Sequence, residues 1–118
     1  WAKYIAEELN YIGTMCVEYF IDKNENLYVN EIAPRVHNSG HLTINAYNIS
    51  QFENHIRAVC NLEKIETKKI YNAKMINLIG DDILVYKNKK LKDNEFFFDY
   101  LKKTIKEKRK MGHLTIIE

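Results

Sequence analysis

Residues 29–41 have the sequence Val29-Asn30-Glu31-Ile32-Ala33-Pro34-Arg35-Val36-His37-Asn38-Ser39-Gly40-His41, and the interpretation of the whole chain starts from them. The segment begins as a strand and runs into the only proline of the chain. The residues that follow, 35–41, combine an arginine, two histidines, an amide and a hydroxyl, and are called the polar loop below. A loop that is polar only because it is exposed is one interpretation. The concentration of hydrogen-bond donors favours the other, a binding site for an anion.

A β-hairpin is predicted just before the polar loop. From Thr14 to Ile21 the residues are β-branched or aromatic and alternate between two faces. Residues 22–26, Asp-Lys-Asn-Glu-Asn, are typical of a turn, and residues 27–32 are predicted to form the returning strand. Counting back from the turn, Glu18 and Glu31 lie nearly opposite each other.

The two acids of the hairpin are predicted to share their faces with apolar side chains, Cys16 and Phe20 beside Glu18, and Leu27 and Val29 beside Glu31. Like charges that face each other across strands are destabilising, and an acid on an apolar face is costly unless it is paired. A divalent cation resolves both problems, and two carboxylates suit Mg²⁺. Pairing of one acid with a basic residue such as Arg35, without a metal, is equally compatible with the spacing.

Composition limits the class of protein. The chain has 118 residues, 46% of them hydrophobic, which predicts a folded protein with one modest core or two small ones. The formal charge of +2, from 18 basic and 16 acidic residues, is too balanced to favour nucleic acid. Apolar runs are too short for a membrane span and no secretory signal is visible, so we expect a cytoplasmic protein. Cys16 and Cys60 are predicted to be small buried thiols rather than a disulfide framework.

Two helices are predicted around the hairpin and the polar loop. The first covers residues 2–10, and since the chain opens on Trp1 inside this helical pattern, we expect it to be a fragment of a longer protein. The second has Ser50 as its N-cap and Glu53 as capping-box partner, and it ends near residue 61. Its buried stripe is predicted to consist of Phe52, Ile56, Val59 and Cys60, with His55 on the solvated side. Residues 63–72 are charged and irregular, and a domain boundary is predicted there.

The C-terminal part is predicted to be rich in β-structure. Residues 73–79 and 113–117 are predicted strands, residues 95–101 are aromatic-rich and extended, and residues 83–86 form a short apolar piece. Residues 101–110 contain six Lys or Arg and one Glu, which gives this end a local positive field. Such charge runs are usually only solvated surface, and this is the interpretation for four lysines: Lys87, Lys89, Lys90 and Lys92. It is weaker for Lys106, Arg109 and Lys110, because a glycine that permits close approach of a ligand follows them.

Several motifs occur together along the chain: Tyr11-Ile12-Gly13, Val17-Glu18-Tyr19-Phe20, the run from Asn30 to His41, Ser50-Gln51-Phe52-Glu53, Arg57-Ala58-Val59-Cys60 and Arg109-Lys110-Met111-Gly112-His113. Together they resemble the 5-(carboxyamino)imidazole ribonucleotide synthetases, which are ATP-grasp enzymes of bacterial purine biosynthesis. The resemblance covers nearly the whole chain and is weakest between residues 63 and 99. The His-Asn-Ser-Gly-His run is the specific part, since the hairpin acids alone indicate only an ATP-grasp enzyme.

The resemblance implies an α+β fold, with residues 1–62 as the C-terminal part of an ATP-grasp domain and residues 68–118 as a small β-rich C-terminal domain. It implies ATP and Mg²⁺ as cofactors, with Glu18 and Glu31 as the metal ligands and Asn30 beside the nucleotide. It also implies ATP-dependent carboxylation of aminoimidazole ribonucleotide with bicarbonate, through carboxyphosphate, in an enzyme that is a homodimer. The family's N-terminal domain and ATP-binding lobes are not among these residues, so we expect no turnover by this chain alone.

By the same resemblance, four residues of the polar loop face bicarbonate, carboxyphosphate and the ribonucleotide: Arg35, His37 and Asn38 as catalytic residues and Ser39 as a substrate contact. Four basic residues correspond to positions near the ribonucleotide phosphate: Lys102, Lys106, Arg109 and Lys110. The family usually has arginine at position 106 and Pro-Gly at 107–108, and a lysine keeps the charge without the bidentate fork.

Two other functions compete with this one. The sister formate-dependent glycinamide ribonucleotide transformylases have a loop resembling Pro-Arg-Pro-His-Asp-Thr-Gly-Met, whereas this chain has Asn38-Ser39-Gly40-His41 at the end of that loop. This difference favours the carboxylating enzyme. A non-catalytic domain that binds an acidic partner through its basic tail is the alternative from another class.

Overall fold

Two separate antiparallel sheets form the framework of the chain, which a computed structural model describes over residues 1–118. The first sheet is a hairpin of β1 and β2, and the second has the strand order β3-β5-β4. The elements in chain order are α1 (Ala2–Glu8), β1 (Cys16–Ile21), β2 (Leu27–Ala33), a 3₁₀ turn (Asn38–Gly40), α2 (Thr43–Ala46), α3 (Gln51–Val59), β3 (Ala73–Ile79), α4 (Asp82–Lys87), β4 (Glu95–Asp99) and β5 (Lys110–Ile117). The predicted α+β class is confirmed. None of these helices combines the length and the apolar character that a membrane span requires.

The hairpin forms as predicted, and its register contains a β-bulge. Tyr19 pairs with Val29, but the next pair is Glu18 with Glu31, so Asn30 is an extra residue on β2. In an unbulged hairpin Glu18 would pair with Asn30, and Glu31 would lie on the opposite face of the sheet. The bulge therefore places the two acids on one face.

The predicted apolar surroundings of Glu31 are wrong for the same reason. Beyond the bulge, Glu31 shares its face with Tyr28 rather than with Leu27 and Val29, because Tyr28 pairs with Phe20 on the Glu18 side. All residues of β2 before Ala33 are also exposed. The Glu31 carboxylate therefore loses little hydration on folding. The unfavourable feature that remains is the repulsion between the Glu31 and Glu18 charges.

The core lies in the three-stranded sheet, where Leu78, Ile83 and Met111 form a buried cluster. Strand β5 is the central strand and begins at Lys110, three residues before its predicted start, so Lys110 lies in the sheet and not in a loop. The short apolar piece is helix α4, which contributes Ile83. Gly112 permits this packing, since a Cβ there would overlap the backbone carbonyl of Phe98 on β4.

Helix α3 begins as predicted but buries a different residue. The Ser50 hydroxyl accepts a hydrogen bond from the Glu53 N–H at 3.2 Å, which confirms the N-cap. The predicted buried stripe is wrong, because all four of its members are exposed: Phe52, Ile56, Val59 and Cys60. The residue that α3 buries is Gln51, with 7% of its surface exposed. His55 is half-buried and not solvated as predicted, since its Nδ1 accepts a hydrogen bond from the Thr14 N–H at 3.1 Å.

Residues 63–72 contain no helix or strand, as predicted, but they are hydrogen-bonded to another part of the chain. The Ile70 N–H donates to the Ala46 carbonyl at 2.8 Å, and the Asn48 N–H donates to the Lys68 carbonyl at 3.1 Å. Tyr47 and Lys69 form an isolated β-bridge between these bonds. The segment is therefore tied to the chain just after α2, and the domain boundary itself remains a prediction.

We expect Gly112→Ala to destabilise the C-terminal sheet, because β4 and β5 must separate to accommodate the new methyl group. The loss in the free energy of unfolding should be roughly 1–3 kcal/mol, as for other overpacked sites. Urea denaturation followed by circular dichroism measures it. Thr104→Ala, at an exposed position, is the control and should stay within about ±0.5 kcal/mol of the parent. An unchanged midpoint for Gly112→Ala would show that the sheet is not packed as described.

Candidate active site

The polar loop crosses from the hairpin to the C-terminal sheet, and His37 connects it to the hairpin. Its Nε2 lies 3.3 Å from Oε1 of Glu18, and its Nδ1 lies 2.9 Å from the Ser39 hydroxyl. One of the two acids therefore pairs with a basic residue, and that residue is His37 rather than Arg35. The Arg35 guanidinium donates to the neighbouring Val36 carbonyl at 3.0 Å and is exposed.

The two hairpin acids differ in their environment. The Glu18 side chain is 44% exposed and paired with His37, whereas Glu31 is exposed and its carboxylate has no hydrogen bond or ion pair within the chain. No group of three or more histidine, cysteine, aspartate or glutamate side chains is arranged to hold a metal ion. Two facing carboxylates nevertheless fit a common type of Mg²⁺ site. In such sites one or two protein carboxylates bind the ion, and water and phosphate oxygens occupy its other coordination positions. Asn30, the bulged residue, lies next to Glu31, and its contact with a nucleotide remains a prediction.

The Asn38 side chain begins a series of hydrogen bonds that leads to the C-terminal sheet, and the direction of its first two bonds is fixed by chemistry. Lys110 Nζ lies 3.3 Å from Asn38 Oδ1, and because an ammonium group only donates, Oδ1 is the acceptor. Asn38 Nδ2 therefore donates to the Tyr100 hydroxyl at 3.3 Å. The Tyr100 hydroxyl is also hydrogen-bonded to Nδ1 of His113, at 3.0 Å, and the tautomer of His113 decides which of the two atoms donates. The polar loop is thus joined to the central strand of the C-terminal sheet.

The last two residues of this hydrogen-bond series, Tyr100 and His113, are shielded from solvent and uncharged. His113 is 1% exposed, and burial, together with the nearby His41, lowers its pKa to about 4. Burial raises the pKa of Tyr100, while the hydrogen bond from Asn38 acts in the opposite direction. Both groups are therefore neutral at neutral pH, and burial is the main cause in each case.

Beside this hydrogen-bond series lies an aromatic cleft of about 490 Å³. It is lined by His41, Ile44, Phe52, Phe98, Asp99, Tyr100, Leu101, Lys102 and His113. The His41 ring stacks on Phe52 with a centroid distance of 5.3 Å and lies 5.3 Å from the His113 ring. Phe98 also stacks on the His113 ring, at a centroid distance of 5.4 Å. The rings give the cleft flat walls, and Lys102 places a positive charge on its rim.

Of the four basic residues predicted to hold a phosphate, the structure brings two close to the polar loop. Lys102 Nζ donates to the Lys110 carbonyl at 2.6 Å, and Lys110 contacts Asn38. Lys106 and Arg109 lie in the exposed turn before β5, where the Arg109 N–H donates to the Lys106 carbonyl at 2.9 Å. Neither side chain contacts the polar loop, so their part in a phosphate site remains a prediction.

Some predictions for single side chains are wrong. Lys87 and Lys89 are exposed, as predicted, and they also form ion pairs with Asp99 at 3.0 Å and Glu95 at 3.6 Å, whereas the prediction for the two cysteines is the one that fails. Neither cysteine is buried. Cys16 is half-buried with its sulfur 3.8 Å from the Ser39 hydroxyl, and Cys60 is exposed.

Sequence reasoning missed four residues of this site: Gln51, Phe98, Tyr100 and His113. The concentration of aromatic residues in 95–101 and the Gly112-His113 pair carried a signal for three of them. For Gln51 the sequence offers only its place in a motif, since a polar residue after an N-cap is ordinarily exposed.

The comparisons with known proteins agree with this arrangement. Residues 1–52 match the ATP-grasp domain model, and residues 73–118 match the phosphoribosylaminoimidazole carboxylase C-terminal domain model. The N5-carboxyaminoimidazole ribonucleotide synthase of Staphylococcus haemolyticus is 48% identical over 116 residues, which cover 96% of this chain and 31% of the synthase. The chain is thus similar to part of this synthase, with the ATP-grasp match followed by the match to the carboxylase C-terminal domain. It spans about a third of the length of the synthases that it matches.

Solved structures of the synthase family support the same assignment. The Staphylococcus aureus synthetase complexed with ADP superposes with a TM-score of 0.88 at 41% identity, over 99% of this chain and 32% of that one. The Aspergillus clavatus synthase in complex with ADP and 5-aminoimidazole ribonucleotide gives a TM-score of 0.79 at 33% identity, over 90% of this chain and 30% of that one. The resemblance seen in the polar loop is thereby confirmed, and the sister transformylase family is not favoured.

The lowered pKa of His113 predicts a loss of stability in weak acid. Above pH 6.5 both the folded and the unfolded states are neutral at this residue, and between pH 6.5 and about 4 only the unfolded state takes up its proton. The free energy of unfolding should therefore fall over this window, by on the order of 1–3 kcal/mol. Urea midpoints measured at a series of pH values give the curve. In His113→Gln the decline should be shallower, and an equal slope in both proteins would contradict the assignment.

Proposed function

We propose that this chain forms part of the active site of an ATP-dependent carboxylase in purine biosynthesis. ATP phosphorylates bicarbonate to carboxyphosphate, which carboxylates the exocyclic amine of 5-aminoimidazole ribonucleotide and gives N5-carboxyaminoimidazole ribonucleotide, ADP and phosphate. The observation that carries the proposal is the link from Glu18 through His37 to Ser39, because it places the polar loop directly beside the paired acids. The names of the relatives and their complexes with ADP and 5-aminoimidazole ribonucleotide support it.

The proposed division of labour follows from the surroundings of each residue. Glu18 and Glu31 would hold Mg²⁺, which neutralises charge on the ATP phosphates during phosphoryl transfer. Arg35 uses one donor on Val36 and keeps others for an anion. His37 and Ser39 hold each other in place, and the Ser39 hydroxyl can turn between His37 and a substrate oxygen. Asn38 is oriented by Lys110 and Tyr100 and has one further donor and acceptor for bicarbonate or the substrate amine.

The sugar phosphate is proposed to bind at the basic end of the chain. Lys110 donates one of its three N–H groups to Asn38, and Lys102 donates one to the Lys110 carbonyl. Both ammonium groups therefore have further donors for a phosphate. Arg109 would add a planar fork, with Lys106 as a weaker point charge. A phosphate monoester with nearly two negative charges suits such a group of donors.

We also propose that the whole enzyme is a cytoplasmic homodimer that acts on small molecules, without nucleic acid or membrane as partners. The balanced charge of +2 supports the absence of a nucleic-acid partner. Sedimentation equilibrium of the whole enzyme measures the number of subunits.

The metal assignment predicts that Glu31→Gln in the whole enzyme abolishes most bicarbonate-dependent ATP hydrolysis. A glutamine removes the charge that attracts Mg²⁺ but keeps the shape, so we expect a loss on the order of 100-fold or more in kcat. Removal of the repulsion between facing acids should leave the metal-free protein equally stable or slightly more stable. Glu25→Gln, at an exposed position in the hairpin turn, is the matched control. ATP hydrolysis by Glu31→Gln at the parent rate would refute the metal assignment.

The phosphate assignment predicts that Arg109→Ala raises the KM for 5-aminoimidazole ribonucleotide. Loss of a charge-assisted contact costs roughly 1.5–3 kcal/mol, which corresponds to about ten-fold or more in KM. The KM for ATP should hardly change. Lys108→Ala is the control, because Lys108 is an exposed lysine of the same run with no hydrogen bond or ion pair. If the two variants have the same kinetics, the run is only solvated surface.

A further inference from the structure

The buried side chain of Gln51, at the start of α3, is hydrogen-bonded to the backbone of the polar loop. Its Oε1 accepts a hydrogen bond from the His37 N–H at 3.0 Å, and its Nε2 donates to the His37 carbonyl at 2.7 Å. The same Nε2 lies 2.7 Å from Nδ1 of His41. Gly40 makes room for this amide, since a Cβ at Gly40 would lie 2.5 Å from Gln51 Oε1.

These contacts determine which atom of His41 carries the proton. A backbone N–H can only donate and a carbonyl can only accept, so the two bonds to His37 fix which end of the Gln51 amide is Oε1 and which is Nε2. The second hydrogen of Nε2 points to His41, whose Nδ1 must then accept. His41 is therefore neutral, with its proton on Nε2. Burial lowers the pKa of His41, and the nearby His37 and Lys110 lower it further, which agrees with a neutral ring.

We propose that Gln51 is a positioning residue, and that through it His41 presents a neutral Nε2–H donor to an acceptor atom of the substrate in the aromatic cleft. Nε2 of His41 has no hydrogen-bond partner within the chain, and the ring lines the cleft. Stacking on Phe52 and contact with His113 fix the plane of the ring, while Gln51 fixes its rotation within that plane. The identity of the ligand as the substrate rests on the proposed function, whereas the protonation state of His41 does not.

Gln51→Glu tests the protonation state with almost no change in shape. A carboxylate cannot donate, so it still accepts from the His37 N–H but requires a proton on Nδ1 of His41. Long-range ¹H–¹⁵N spectra of the labelled chain distinguish protonated from unprotonated ring nitrogens. We expect the proton of His41 on Nε2 in the parent and on Nδ1, or on both nitrogens, in Gln51→Glu.

His55 supplies an internal control on the same helix. Its Nδ1 accepts from the Thr14 N–H, so its proton should be on Nε2 in both proteins. A parent spectrum with the proton of His41 on Nδ1 would overturn the proposal. So would a Gln51→Glu spectrum with His41 unchanged while His55 confirms that the variant is folded.

A double-mutant cycle in the whole enzyme separates positioning of His41 from simple support of the loop. Gln51→Glu should lower kcat/KM for carboxylation on the order of 10–100-fold when His41 is present. In a His41→Gln background, where no ring can change its protonation, the same change should cost less than about 3-fold. Equal losses in both backgrounds would show that Gln51 only supports the loop. Absence of carboxylation in the parent enzyme would refute the proposed function instead, and the spectra would still decide the state of His41.

Discussion

A single hydrogen bond, from the Lys110 ammonium to the Asn38 side chain, gives the site its internal order. Because the ammonium group can only donate, it sets the orientation of the Asn38 amide, which then donates to the Tyr100 hydroxyl beside His113. The bond also spans 72 positions of sequence, from the polar loop to the central strand of the second sheet. The two halves of the chain therefore meet at a polar contact whose geometry is determined and not at a simple apolar seam.

The same logic operates twice in this site. Backbone groups of His37 orient Gln51 as Lys110 orients Asn38, and in both cases a neutral histidine lies at the end of the series. The two histidine rings then lie 5.3 Å apart in the aromatic cleft without mutual charge repulsion. Two protonated rings at this distance would destabilise the cleft, so the hydrogen bonds and the packing require the same protonation state.

The sequence predicted the local parts of this structure better than the long-range ones. Turn residues 22–26 and alternation placed both strands of the hairpin within two residues, and Ser50 located the start of α3, since each signal lies within a few residues of its effect. The buried stripe of α3 failed because only 12 of 118 residues are buried, so that apolar spacing on a helix does not by itself identify the face that is covered. Gln51, Tyr100 and His113 were missed because their partners lie far away in sequence. The aromatic residues of 95–101 and the Gly112-His113 pair marked two of them as unusual, but no local pattern shows which residues they contact.

The bulge at Asn30 determines whether the two acids of the hairpin face each other. Side chains alternate across a strand, so two acids on paired strands meet only if their distances from the turn match, and those of Glu18 and Glu31 differ by one residue. The bulge absorbs that residue, with Tyr19 opposite Val29 on one side of it and Glu18 opposite Glu31 on the other. The opposition of the two carboxylates thus depends on the unequal length of the two arms of the hairpin as much as on the identity of either acid.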